Sequence, residues 1–300
     1  MEELVYHYTT LEAFYEMLRN IKWNKDSKKC FLSFWASSIY SMNDLQEFIY
    51  GYKLLQECIL PDIEERLEIR DDKLKLSKIV SILGYNDIED SNRILINYIY
   101  KEHNVPFIVS FTKNKDYLPM WNMYSKNGTG VCLGFNNCEY RIKDRDNIDI
   151  LHRLHAMEVS YGEERDFIKN TVLSLYRKFY EQYRNDDDEK AQKQKMLRYF
   201  TDLALTISPY HKHEAYEFEK EMRLVQFKEN ESDVKYRISK RGRLIPYIEI
   251  PVKLEYLKKV IVGPCADSPS IIRELRNILK GYRGQEENFI TSSGIPYREF

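Results

Sequence analysis

The residues best suited to chemistry stand in one short run, Glu217-Phe218-Glu219-Lys220-Glu221-Met222-Arg223. If the run is strand from Glu219 onward, its period of two sets Glu219, Glu221 and Arg223 on one face and Lys220, Met222 and Leu224 on the other. Two carboxylates about 7 Å apart raise each other's pKa by repulsion, and Arg223 opposes that effect. Such a row suits a site that stabilises positive charge developing on a sugar. The competing reading is the solvated face of an edge strand, or the polar start of a strand after a helix.

His7 is the second candidate, near the end of an apolar opening run with Tyr8 and Thr9 beside it. A neutral imidazole there holds a ribose hydroxyl, and Tyr8 offers a flat face to an aromatic ring; the alternative is a structural hydrogen bond. Ser110 and Thr112 place two hydroxyls on one strand face. Trp121 and Tyr124, three apart on a short helix, make either a stacking platform or core aromatics. His152 with His155, and His211 with His213, lack the accompanying carboxylate and cysteine set of a metal centre, so no metal is expected. No glycine-rich phosphate loop and no Gly-x-Ser-x-Gly elbow occur. Lys240-Arg241-Gly242-Arg243 is a basic turn that either touches phosphate or is solvated.

These residues need elements to position them. Leu4-Val5-Tyr6-His7-Tyr8 reads as a strand, and Thr9-Thr10-Leu11-Glu12 as a capping box with Thr9 as N-cap. The helix behind it has Leu11, Phe14, Tyr15 and Leu18 on one buried face. A strand follows at residues 31–35. A cap at Asn43-Asp44 opens a helix toward Leu60, Pro61 interrupts it, and helical periodicity resumes to about Leu83. Another helix is expected over 92–101. Strands are expected over 107–112, 131–135, 156–161, 221–227, 244–250 and 259–262, with a helix over 269–280 and a last strand over 289–291. Between 165 and 207 the pattern is helical, broken at Asn185-Asp186-Asp187-Asp188. The economical reading is a single α+β domain over 1–300 with helical insertions near 44–103 and 163–207, with two domains as the alternative at this length.

Composition narrows the class. The 300 residues include 24 Tyr, 14 Phe, 11 Gly and 9 Pro, with 43% hydrophobic and 31% charged residues, which excludes collagen-like and low-complexity chains and allows a sizeable core. No apolar run approaches a membrane span, no secretory signal opens the chain, and the 5 Cys are scattered. A cytoplasmic protein with reduced thiols and no membrane partner is the expectation. The net charge of -1 conceals an acidic first hundred residues and a basic stretch after 232, which could face a phosphate-bearing ligand.

Taken in order, Tyr6-His7-Tyr8-Thr9-Thr10, Met42-Asn43-Asp44-Leu45-Gln46-Glu47, Val109-Ser110-Phe111-Thr112, Met120-Trp121-Asn122-Met123-Tyr124, Gly130-Val131-Cys132-Leu133-Gly134-Phe135, Glu219-Lys220-Glu221-Met222-Arg223 and Ile261-Val262-Gly263-Pro264 resemble the bacterial domain of unknown function 2971 family. Met123 stands where that family often has His, and Met222 where it often has an aromatic residue. That family is in turn remotely similar to the ADP-ribosyltransferase-like fold, a split antiparallel β core carrying a His, an aromatic or Ser/Thr element, and a Glu in that order.

The resemblance implies NAD as substrate, with no metal. Glu221, with Glu219, would stabilise the ribosyl cation as nicotinamide leaves, and His7 would fix the adenosine-side ribose. Tyr8 or Tyr124 would stack on nicotinamide, and Arg223 would meet the pyrophosphate or orient a carboxylate; Thr9, Ser110, Thr112 and Trp121 complete the binding set. The acceptor is a protein, a nucleic acid or water, and a role as toxin or phage-defence effector fits proteins of this fold. Two alternatives stand: a non-catalytic nucleotide- or nucleic-acid-binding module of the same fold, and a protein-interacting component that uses the helical insertions.

Overall fold

The computed structural model describes residues 4–24, 29–41, 45–72, 75–78, 105–143, 149–154, 156–162, 166–183, 189–228, 230–239, 242–282 and 288–297. In chain order the elements are β1 (Leu4–Thr9), α1 (Leu11–Arg19), β2 (Lys22–Asn24), β3 (Lys29–Ser38), α2 (Leu45–Leu54), α3 (Leu60–Arg66), β4 (Pro106–Thr112) and α4 (Leu118–Tyr124). Then come β5 (Val131–Asn136), β6 (Cys138–Lys143), β7 (Asp149–Leu154), β8 (Met157–Glu158), β9 (Ser160–Tyr161), α5 (Asp166–Tyr183), α6 (Glu189–Ile207) and β10 (His211–Lys212). The last are β11 (Glu221–Phe227), β12 (Lys235–Ile238), β13 (Leu244–Lys253), β14 (Leu257–Val262), α7 (Ser268–Leu279) and β15 (Ile290–Ser292). The α+β expectation holds, with a largely antiparallel sheet.

Strand β4 organises that sheet. Its sequence, PFIVSFT, is nearly continuous in apolar residues because both of its faces are covered. One edge pairs along its length with β11, from Glu221 opposite Thr112 to Phe227 opposite Pro106. The other edge is shared: β3 takes its beginning (Ser37 opposite Ile108) and β1 its end (Tyr6 opposite Thr112). The sheet therefore divides into two wings, one running β1-β5-β14-β15 and the other β3-β13-β12. The main core fills the division, with Val5, Phe34, Phe111, Leu133, Phe135, Met222 and Val252 under Phe14, Leu18, Leu275 and Leu279 of α1 and α7.

The two helical insertions merge into one layer on the opposite face of β4. Leu55, Ile59, Leu60 and Ile63 pack with Val172, Tyr176, Phe200 and Leu203, and Ile108 joins them from the strand. Gly51 marks the closest approach: a Cβ there would stand 2.7 Å from the Ser208 backbone, so only glycine lets α2 lie against the turn after α6. Among the described residues no helix is long and apolar enough to cross a membrane.

Several local expectations are corrected. The N-cap of α1 is Thr10, whose hydroxyl accepts from Ala13 N at 3.2 Å, because Thr9 still belongs to β1. Tyr15 is exposed, leaving Phe14 and Leu18 to anchor the helix. Pro61 does not break its helix. A π-helical turn, Leu55–Ile59, precedes it, and Pro61 lies in the first turn of α3, where its missing N–H costs least. Helix α3 ends at Arg66 and residues 76–78 are helical again, while the expected end at Leu83 lies outside the described residues. The expected cap at Asn43-Asp44, the helix over 92–101, and the break at 185–188 lie outside the described residues.

Candidate functional site

The carboxylate row survives, by a different backbone route. Glu219 closes a 3-10 turn (Glu214–Glu219), Lys220 is left-handed at φ 44, and the strand begins only at Glu221. Within this run Lys220 takes the left-handed conformation, and its side chain is exposed while Glu219, Glu221 and Arg223 stay together. This is no solvated edge: Glu219, Glu221 and Arg223 are 2%, 4% and 1% exposed.

Burial at this level demands partners. Arg223 grips Glu221 in a fork, Nε to Oε1 at 2.8 Å and Nη2 to Oε2 at 2.9 Å, while its Nη1 donates to the Pro209 carbonyl at 2.7 Å. Lys212 bridges both carboxylates, Nζ to Glu219 Oε2 at 2.7 Å and to Glu221 Oε2 at 3.1 Å. Its ammonium also stands 4.6 Å over the Tyr216 ring. Tyr124 OH donates to Glu219 Oε1 at 2.8 Å, and Thr112 Oγ1 donates to the Glu219 carbonyl. Glu221 N donates to Tyr161 OH at 2.7 Å. Two carboxylates and two cations make a locally neutral cluster.

The expected mutual rise of the carboxylate pKa values does not occur at Glu221. Burial pushes its pKa up, yet the charge and hydrogen bonds of Arg223, then Lys212, then a hydrogen bond from Ser110, outweigh burial and hold it at about 2. Glu221 is therefore a fixed anion at neutral pH, unable to act as a general acid and a weak base. Burial first, and the Glu219 charge next, push the Tyr124 phenol upward, so it remains a donor. Tyr161 is pushed up to about 12, chiefly by burial.

Ser110, Thr112, Tyr124, Glu219, Glu221 and Arg223 are thus brought together; the other four expected site residues are not. His7 is turned into the division between the wings, where its Nδ1–H donates to the Ser110 carbonyl at 2.9 Å. Its ring meets Phe34 at 5.2 Å and Phe111 at 5.7 Å. The register explains the separation: Tyr6, Thr112 and Glu221 are cross-strand neighbours on one face, so His7, the next residue along β1, faces the other. Burial drives the imidazole pKa down and the Ser110 carbonyl offsets only part of it, which leaves a neutral ring. The ribose-binding role expected of His7 has no support in this placement.

Tyr8 is not an open stacking face either. Its ring packs edge-on against Trp121 at 4.8 Å, and its hydroxyl donates to the Asn114 carbonyl while accepting from Tyr117 N. Trp121 is fully buried, its indole N–H held by Asp116 Oδ1 at 2.9 Å. Asp116 also accepts from Ser293 Oγ and Gly294 N, which ties this corner to the segment after β15. Thr9 ends β1 opposite Val131, its carbonyl so close to Gly130 that a Cβ there would stand 2.2 Å away. These residues build the wall behind the site.

Lys212 was missed because the sequence drew attention to its neighbours His211 and His213 as a metal pair. His211 is buried and bonds the Ile207 carbonyl, and His213 caps the turn that leads to Glu219. The lysine between them reaches the carboxylates because β10 pairs in parallel with β9, setting His211 opposite Ser160 and Lys212 opposite Tyr161. A lone lysine between two histidines carries no spacing signal of its own. Of the other metal candidates, His155 lies outside the described residues.

Residues 120–224 match the model of a family described as Protein of unknown function (DUF2971), which bears out the family resemblance over the segment that holds Tyr124, Lys212, Glu219, Glu221 and Arg223. No curated protein and no solved structure matches the chain.

Proposed function

Taking that family match as the premise, we propose that the chain cleaves the nicotinamide N-glycosidic bond of NAD, as an ADP-ribosyltransferase or NAD glycohydrolase on an ADP-ribosyltransferase-like core. The observation that carries this reading is the convergence of Glu219, Glu221 and Arg223 with Tyr124 and Lys212 at the start of β11, where Glu221 is a fixed anion. Cleavage sends the bonding electron pair out with nicotinamide and leaves positive charge on the ribose. A carboxylate that stays ionised in a dry site stabilises that charge more in the transition state than in the ground state. His7 has no part in this version of the reaction.

The hydrogen-bond pattern sets a condition. Arg223 and Lys212 engage both oxygens of Glu221, so a ribose hydroxyl that binds Oε2 does so in competition with Lys212. Lys212 keeps Glu219 as a partner when it moves, which makes it the group that yields.

The same saturation favours a second reading, a non-catalytic nucleotide- or nucleic-acid-binding module in which the cluster is structural. The test is nicotinamide release from NAD by the purified chain, with and without cell lysate, for wild type, Glu221→Gln and Glu219→Gln. Release that falls at least about a hundredfold in Glu221→Gln, in a variant whose thermal midpoint shows it folded, supports the enzyme. Equal release by wild type and Glu221→Gln removes Glu221 from catalysis. Absence of release under every condition leaves the binding module.

A further inference from the structure

The far end of the β3 wing carries a surface with a different chemistry. Among the described residues strand β12 ends the sheet and pairs only with β13, with Tyr236 opposite Pro246 and Ile238 opposite Leu244. That register puts Tyr236, Ile238 and Leu244 on one face of the hairpin. They are 65%, 75% and 69% exposed, more than any other large hydrophobic side chain among the described residues. On the other face Lys235 Nζ bonds Glu249 Oε1 at 2.8 Å and Arg237 Nη2 donates to Ser37 Oγ at 3.0 Å. The sequence from Val234 to Pro246 holds five basic residues, Lys235, Arg237, Lys240, Arg241 and Arg243, and no acidic one, in a chain whose net charge is -1.

We propose that the apolar face of the β12–β13 hairpin, with exposed Arg243 beside it, docks on an anionic lipid surface. An exposed apolar face with Arg243 at its edge, on a hairpin whose sequence from Val234 to Pro246 is basic, matches the boundary where acyl chains meet negatively charged headgroups. Two other occupants fit less well. A nucleic acid would call on Lys235 and Arg237, which already hold Glu249 and Ser37, and the open face offers Ile238 and Leu244, which have no flat ring for a base. A second copy of this chain would bring two basic hairpins together against their own repulsion. The proposal does not rest on NAD cleavage, since β12 and β11 lie on different parts of the sheet.

The experiment is co-sedimentation of the full chain with vesicles of phosphatidylcholine alone and of phosphatidylcholine mixed with phosphatidylglycerol. Binding is expected to the mixed vesicles, weaker at high salt, and at least about tenfold weaker in the double variant Ile238→Ser/Leu244→Ser. Arg243→Glu should weaken binding as well. All three side chains are exposed, so an unchanged thermal midpoint confirms that each variant is folded. No binding to the mixed vesicles, or equal binding by the double variant, overturns the proposal. So does tighter binding of a fluorescent single-stranded oligonucleotide than of the mixed vesicles, or a concentration-dependent dimer that the double variant loses.

Discussion

His7 and Glu221 stand on strands that flank the same central strand, and the two have opposite fates. Glu221 faces the helical layer, is gripped by Arg223 and Lys212, and is ionised. His7 faces the division between the wings, is wedged between phenylalanines, and is neutral. One partner set is charged and lies within nine residues of Glu221 in the chain; the other is a single backbone carbonyl, 103 residues from His7, at the place where β1 and β3 leave the edge of β4 bare. The contrast teaches that order along a sequence brings groups to the same sheet, while strand parity decides whether they meet.

The contrast breaks most visibly at Arg223. Arg223→Met strands a buried carboxylate with one cation and should cost about 3–5 kcal/mol in urea unfolding, most of it recovered when Glu221→Met is added. A small loss would mean that Lys212 alone suffices. Next comes acid. Glu221 holds a pKa of about 2 in the folded chain against an ordinary 4.5, so its contribution is fully present above about pH 4.5 and is lost as pH falls toward 2. The midpoint of thermal unfolding should drop across that window, by an amount worth about 3 kcal/mol, and hold steadier in Glu221→Gln.

Smaller changes sharpen the comparison. Tyr124→Phe removes a donor to a charged acceptor and should cost about 1.5–3 kcal/mol. His7→Phe removes a donor to a neutral carbonyl and should cost about 1 kcal/mol, leaving any nicotinamide release unchanged. If His7→Phe proves the costlier, or abolishes release from a folded protein, the division of roles between the two faces is wrong.

Much of this was legible in the residues. The period of two at Glu219, Glu221 and Arg223 announced one face, and most strands lie where alternation or apolar runs placed them. What escaped detection depended on neighbours distant in the chain. The separation of His7 from Glu221 requires the register of Tyr6 on Thr112, which no local pattern encodes. Lys212 depends on a two-residue parallel pairing, too short to leave a periodic trace. Pro61 read as a break because the widened turn that accommodates it has no sequence signature. The wall of Tyr8 and Trp121 read as a binding platform because an aromatic side chain looks the same in sequence whether it stacks on a ligand or on a neighbour.

The merging of the two helical insertions also bears on how the chain is made. Helix α3 ends at Arg66 and its packing partner α5 begins at Asp166, so a ribosome adding about 5–20 residues per second extrudes the first about 5–20 s before the second exists. During that interval Leu55, Ile59, Leu60 and Ile63 have no partner from α5 and α6 to cover them. The nascent chain is then most exposed to chaperones and proteases, well before Lys212 and Glu221 are available to meet.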